Sequence, residues 1–168
     1  MAGRPAGRGG SLTPTPVGAW VASHHPEIPL FKPERVNEAG VVEALRALGQ
    51  NQTRLAWVVI AFGQKLSQRL LADRFAINLH ASLLPRWRGA APIHAAILAG
   101  DTETGNSIIT LADRMDAGMV LAQSRREILP GQTTGELHDL LAGDGPALVD
   151  TVLEQFVSGS LDPRRQNE

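Results

Sequence analysis

Leu55-Ala56-Trp57-Val58-Val59-Ile60-Ala61-Phe62-Gly63 is an unbroken apolar run closed by a glycine, and a second run, Phe75-Ala76-Ile77-Asn78-Leu79-His80, follows shortly after it. The first run is short and rich in β-branched residues. That pattern predicts a strand over 55–62 buried on both faces. Leu66 to Leu71 suits a short helix, and 75–80 suits the next strand. Strand, helix, strand in that order predicts an α/β fold with a Rossmann-like, mostly parallel sheet.

Working outward, Val41 to Leu48 has helical apolar spacing, with Gly49 as its stop. Pro92 stands where a first helical turn tolerates proline, and Ile93, Ala96 and Ile97 share one face before Gly100. Ser107 to Leu111 and Val120 to Ile128 read as two strands joined by the loop 112–119. Thr133-Thr134-Gly135-Glu136 fits a capping box, with Leu137, Leu140 and Leu141 as the apolar face behind it. Gly143 and Gly145-Pro146 predict an interruption, and a further helix over 147–157 closes the domain. Residues 1–18 are rich in Gly, Pro and Arg without apolar periodicity, which predicts a basic flexible loop. The expected organisation is this loop at 1–18, a catalytic domain at 19–160 and a tail at 161–168.

The chain has 168 residues, enough for one domain with a core. A formal charge of −1 provides no global field for nucleic acid, so any such contact is a local patch. There is no cysteine, which excludes disulfides, thiolate nucleophiles and cysteine-based zinc sites. The histidine spacing matches no metal site, and no metal is expected. No apolar run approaches the roughly 18 residues of a membrane span. A cytoplasmic location is expected, with no membrane contact.

The second strand carries the chemistry. Asn78 and His80 alternate onto the same face. An amide donor beside an imidazole suits a carbonyl oxygen that becomes an oxyanion. An Asn or His at a strand end also serves simply to satisfy backbone groups. The pairing at the carboxyl end of a strand favours the chemical reading, because open α/β sheets place their sites there. A carboxylate is needed to orient the ring. Asp116 and Asp113 lie on the same loop, and spacing alone does not separate them. Arg86-Trp87-Arg88 suits an anion or a flat ligand as well as a solvated loop. His24, His25, His94 and His138 receive no role. Gly3 to Gly10 is glycine-rich but stands between no strand and helix, so it is no dinucleotide fingerprint.

Ile77-Asn78-Leu79-His80-Ala81-Ser82-Leu83-Leu84-Pro85-Arg86-Trp87-Arg88-Gly89-Ala90-Ala91-Pro92-Ile93 closely resembles the signature of the methionyl-tRNA formyltransferases. The Asn-x-His-x-Ser-Leu-Leu-Pro part is similar to the wider group of formyltetrahydrofolate-dependent transferases. Arg4 to Gly9 with Leu12-Thr13-Pro14, Ala61 to Gln64, and Met115 to Gly118 agree as well. The resemblance runs from residue 3 to about residue 160. It implies formyl transfer from 10-formyltetrahydrofolate, as co-substrate, to the amino group of methionyl-initiator tRNA. It also implies that Asn78 and protonated His80 stabilise the oxyanion and that Asp116, rather than Asp113, completes the triad. Phe62, Gly63, Gln64 and Leu66 match the segment lining the folate pocket, joined by Ser82, Leu83, Leu84 and Pro85. Arg4, Arg8, Arg86 and Arg88 are the implied tRNA contacts.

The chain also departs from that pattern. Gly3 stands where the family usually has Asp. The match begins after the family's first strand, loop, helix and strand, and stops before its C-terminal β-barrel domain. The resemblance therefore implies a monomer with an incomplete pocket, weak or absent transfer, and an edge strand at 55–62 open to self-association. Two alternatives remain at this point. One is a related formyltetrahydrofolate-dependent transferase with another amine acceptor. The other is a catalytically silent fragment that binds folate or RNA.

Overall fold

A computed structural model describes residues 4–6, 11–50 and 54–167, the segments 4–6 and 11–13 by backbone only. The chain forms two compact units. One is Met1–Asn51 with Gln64–Ala72, and the other is Gln52–Gly63 with Asp73–Glu168.

In the first unit, β1 (Arg4–Ala6) pairs antiparallel with β2 (Ser11–Thr13). Helix α1 (Pro16–His24) follows, with Thr15 as its N-cap and proline at its start. The span expected to be a loop through residue 18 thus holds a strand pair and a helix start. The Thr15 hydroxyl accepts the Gly18 N–H, and proline there removes an N–H that lacks a helical partner anyway. Helix α2 (Ala39–Ala47) buries Val42. The helix expected at 66–71 is the single turn α3 (Gln68–Leu71), capped by Ser67, with Leu70 buried. Arg46 ties α2 to the end of α3 by donating to the Arg69 and Ala72 carbonyls at 3.0 Å each.

The second unit is a four-stranded sheet in the order β3 (Ala56–Ile60), β4 (Phe75–His80), β5 (Glu103–Thr110), β6 (Val120–Glu127), with α4 (Pro92–Leu98) and α5 (Thr134–Ser158). The α/β class holds, but the sheet is mixed rather than mostly parallel. Only β3 and β4 pair in parallel; β5 is antiparallel to both β4 and β6, so β6 points the same way as β3 and β4. Here β6 follows β5 through one loop, and a direct return reverses the strand. The strand over 55–62 is not buried on both faces either. It lies at the sheet edge, with Val58 40% and Ile60 55% exposed.

Period-two alternation splits the sheet into two faces. Ile77, Ile108 and Leu121 point toward α5 and pack with Val149 and Val152, joined by Phe75, Leu79 and Leu161. Each such side chain contributes roughly 1.5–3 kcal/mol on burial. The opposite face carries a smaller cluster, Leu84, Ile109 and Val120. Asn78 and His80, out of phase with Ile77 and Leu79, lie on this side of the strand. The chemistry therefore shares no positions with the main core.

Helix α5 is continuous across Gly143 and Gly145-Pro146, contrary to the expected interruption. This is the part of the helix that docks on the sheet. Gly145 is buried against Leu79, where a Cβ would crowd that side chain. Arg126 of β6 makes two hydrogen bonds to Asp144, at 2.6 and 2.7 Å. Buried Asn106 donates to the Leu141 carbonyl at 2.9 Å, near the turn that Pro146 leaves short of one N–H. Tertiary contacts thus outweigh the local cost of glycine and proline. The buried stripe runs Leu137, Leu141, Gly145, Val149, Val152, while Leu140 is 39% exposed and lies off it. The capping box forms as the sequence predicts, and Gly159 ends the helix in a left-handed conformation.

Two glycines in this unit have opposite constraints. A Cβ at Gly105 would collide with the Ser124 carbonyl oxygen on the neighbouring strand, whereas one at Gly143 meets nothing. Gly105→Ala is expected to lower unfolding free energy by about 2 kcal/mol or more. Gly143→Ala should raise it by about 0.5–1 kcal/mol. Urea denaturation of the two variants checks both, and equal effects would contradict this packing.

Hydrogen bonds from Arg126 hold the Asp144 carboxyl below its ordinary range, and those from Thr133 do the same for Glu136. Both folded-state values are lowered. Their stabilisation is therefore present above the ordinary carboxylate pKa of about 4 and lost as pH falls through the folded values. The gap in Tm between the wild type and Asp144→Asn is expected to be steady from neutral pH to about 5 and to shrink below about 4. A gap unchanged across the acid limb would remove the ion pair from the account.

Candidate active site

Strand β4 delivers Asn78 and His80, and the loop between β5 and β6 delivers Asp116. Asn78 Nδ2 donates to Asp116 Oδ1 at 3.4 Å, and His80 Nδ1 lies 3.6 Å from Asp116 Oδ2. The backbone N–H of Gly89 donates to the same Oδ2 at 2.9 Å. His80 is 7% exposed, and the Asp116 side chain 13%. Asp113, the rival on this loop, is exposed.

His80 Nε2 lies 2.9 Å from the Trp87 carbonyl oxygen, which can only accept. The proton on Nε2 is fixed by that partner, so Nδ1 is the nitrogen whose protonation can change. A proton arriving there faces the Asp116 carboxylate. Asn78 Nδ2 carries a second hydrogen that its bond to Asp116 does not use. The cluster thus combines an amide donor, a proton-exchanging nitrogen and a carboxylate, the set required for oxyanion stabilisation with proton transfer.

Both residues that hold the ring have left-handed backbones: φ is +59° at Trp87 and +52° at Asp116. For an L-residue this costs roughly 1–2 kcal/mol. Gly118 keeps the Asp116 loop against β5, where a Cβ would strike the Thr110 carbonyl. The Met119 N–H donates to Thr110 Oγ1 at 2.9 Å, and the Thr110 N–H returns a bond of 2.9 Å to the Met119 carbonyl.

The Ser82–Pro85 turn is held from within. Ser107 Oγ donates to the Ser82 carbonyl at 2.6 Å and accepts from the Leu84 N–H at 3.1 Å and from Gln123 Nε2 at 2.8 Å. Ser82 is fully buried and its hydroxyl donates to the Arg86 carbonyl at 2.7 Å. Leu84 is buried, Leu83 is half-buried and Pro85 is exposed, with the Leu84–Pro85 bond cis. A cleft of about 510 Å³ runs past Leu83, Pro85, Trp87, Thr104 and Arg125. Phe62 and Gly63 follow β3 in the second unit, with Gly63 exposed. Gln64 and Leu66 belong to the first unit, where the Gln64 side chain joins the Val36 N–H to the Glu34 carbonyl.

The arginines have distinct situations. Arg86 pairs with Asp101 at 2.6 Å and lies over the Trp87 ring, while its own side chain stays 63% exposed. Asp101 also accepts from the Trp87 indole at 2.7 Å, which fixes this loop. Arg88 is half-buried and donates to Gln166 Oε1. Arg4 lies on β1, and Arg8 is outside the described residues. His94 and His138 are exposed on α4 and α5, and His24 stacks on Trp20 at the end of α1.

Several contributors escaped the sequence reading. The Trp87 carbonyl and Gly89 N–H are backbone groups that no side-chain pattern reveals. Ser107 had a signal, a small polar residue beside the apolar pair Ile108-Ile109. Gln166 had none, since it sits in a short polar segment with no periodicity.

Among the described residues, no group of three or more His, Asp or Glu is placed to hold a metal ion, and no helix is long and apolar enough to cross a membrane. Residues 3–153 match the Formyl transferase family model. The chain is 45% identical over 158 residues to a protein named methionyl-tRNA formyltransferase from Symbiobacterium thermophilum, covering 93% of this chain and 47% of that one. It spans about half the length of the curated relatives it matches. A phosphoribosylglycinamide formyltransferase of Bacillus halodurans superposes with a TM-score of 0.69 at 26% identity, over 84% of this chain and 75% of that one. One from Anaplasma phagocytophilum gives 0.71 at 20% identity, over 84% and 69%, and shares the fold. On its sequence match from residue 3 to 153, with the fold in agreement, this chain belongs to the formyl transferase family.

Proposed function

We propose that this chain carries the catalytic centre for transfer of a formyl group from 10-formyltetrahydrofolate to the amino group of methionyl-initiator tRNA. The observation that carries the reading is the cluster of Asn78, His80 and Asp116 at the carboxyl end of β4. The choice of acceptor rests on the methionyl-tRNA formyltransferases, 45% and 42% identical to this chain. The site itself does not encode the acceptor, so the acceptor is part of the test.

In this reading the amine lone pair attacks the formyl carbon and an N–C bond forms. Charge gathers on the formyl oxygen, where the free hydrogen of Asn78 Nδ2 stabilises it. The resemblance implies a His80 protonated from the outset; here Nδ1, the nitrogen that faces Asp116, instead takes the proton that the amine loses. Asp116 stabilises the imidazolium so formed, which then adds its charge to Asn78 in stabilising the oxyanion. The tetrahedral centre then collapses, the bond to folate N10 breaks, and the proton passes to that nitrogen. The Trp87 carbonyl holds the ring throughout at Nε2.

The remaining assignments belong to the same proposal. Phe62, Gly63 and the Ser82–Pro85 turn serve the folate side, and the resemblance assigns Gln64 and Leu66 to folate as well. Ser82 and Leu84 do so through the shape of the turn, since both are buried. Arg4, Arg8, Arg86 and Arg88 serve the tRNA side, Arg86 as an exposed guanidinium and Arg88 through its hold on the neighbouring loop. The protein works in the cytoplasm as a monomer, and the exposed edge of β3 is the surface for any self-association.

Formyl transfer from 10-formyltetrahydrofolate is the direct test, offered methionyl-initiator tRNA and, in parallel, glycinamide ribonucleotide. Transfer to the tRNA is expected. Asn78→Ala and Asp116→Asn should each lower kcat by about 100-fold or more. Transfer to glycinamide ribonucleotide alone would overturn the acceptor. Variants as active as the wild type would overturn the site.

A further inference from the structure

Gln166 lies far from the signature in sequence but bonds in space to Arg88 within it and to the Asp116 loop. Its chain segment is fixed by two backbone bonds of 2.8 Å between Arg164 and Val120, the first residue of β6. Two residues on, the Gln166 side chain uses all of its hydrogen-bonding capacity. Oε1 accepts from Arg88 Nε at 2.9 Å and from Arg88 Nη2 at 2.6 Å. Nε2 donates to the carbonyls of Asp116 and Gly118 at 2.8 Å each. The amide orientation is unambiguous, because guanidinium only donates and carbonyls only accept.

These four bonds join the two loops that hold His80. Arg88 stands between Trp87, whose carbonyl fixes Nε2, and Gly89, whose N–H holds the Asp116 carboxylate. Asp116 supplies the oxygen at Nδ1. Its left-handed backbone is costly, and the two donations from Gln166 hold the carbonyls on either side of Ala117 in the orientation that this backbone requires. We propose that Gln166 is a positioning residue that sets the spacing between the Trp87 carbonyl and the Asp116 carboxylate across the His80 ring. It touches neither the ring nor any reacting atom. Its effect on catalysis rests on the formyl-transfer reading, while its effect on His80 does not.

Two variants of the full chain test this. Gln166→Ala removes all four bonds. Gln166→Glu keeps an acceptor for Arg88 and replaces the donor facing the Asp116 and Gly118 carbonyls with an oxygen. The first readout is the imidazole 15N spectrum of His80 over a pH series, assigned by its loss in His80→Gln. Both variants should displace the His80 ring resonances and their titration midpoint. The second readout is formyl transfer, where kcat should fall about ten-fold or more with KM for 10-formyltetrahydrofolate little changed. Displaced resonances in a series where even the wild type transfers no formyl group would support the clamp and count against the formyl-transfer reading. His80 resonances and midpoints matching the wild type, in either variant with an intact fold by circular dichroism, would overturn the clamp.

Discussion

A histidine can do useful work only if its two nitrogens are told apart, and here the distinction comes from a single backbone carbonyl. The Trp87 oxygen holds the Nε2 proton of His80, so Nδ1 is left to exchange. Asn78, Asp116 and the Gly89 N–H take their meaning from that choice, since all three gather on the Nδ1 side. Much of the surrounding structure reads as support for it. Asp101 pins the Trp87 indole, Ser107 pins the preceding turn, and Gly118 presses the Asp116 loop onto β5. The left-handed conformations at Trp87 and Asp116 are sustained because these neighbours over-determine them.

The division of the sheet into a packing face and a chemical face explains how this arrangement is compatible with stability. Ile77 and Leu79 alternate with Asn78 and His80 on one strand. The apolar pair meets α5, and the polar pair meets the loops. Burying His80 would be costly without partners, and both of its nitrogens have acceptors nearby. Arg126 and Asp144 solve a related problem on the other face of the sheet, where a two-bond ion pair joins β6 to the middle of α5.

Strand β4, α4 with its proline start, β6 and the Thr133 capping box were legible because each depends on local chemistry. Asn78 and His80 were legible for the same reason, being two residues apart on one strand. What could not be read locally was anything decided by a neighbour. The run 55–62 looks buried because every residue is apolar, but burial is settled by what lies beside it, and among the described residues β3 pairs with β4 alone. Gly143 to Pro146 reads as a break until Asn106, Leu79 and Arg126 hold the helix across it. The strand directions followed a βαβ expectation that fails at β5, which runs antiparallel to β4 although α4 lies between them. Asp113 and Asp116 were equivalent by spacing, and only the resemblance separated them; in the structure Asp116 lies 3.6 Å from His80 Nδ1 and Asp113 is exposed.

The antiparallel run of β4, β5 and β6 also sets how much chain entropy each part of the site costs to close. Neighbours in sequence close small loops, and small loops cost little entropy to close. Asp116 therefore comes into place with the turn between β5 and β6, as a local event. His80 receives it when β4 pairs with β5. The Gln166 contacts with Gly118, Asp116 and Arg88 close spans of 48, 50 and 78 residues that include α5. Asn78 and Asp116 are thus brought together across 38 residues, while the Gln166 bonds that brace the same loops close spans of up to 78 and carry the larger entropic cost.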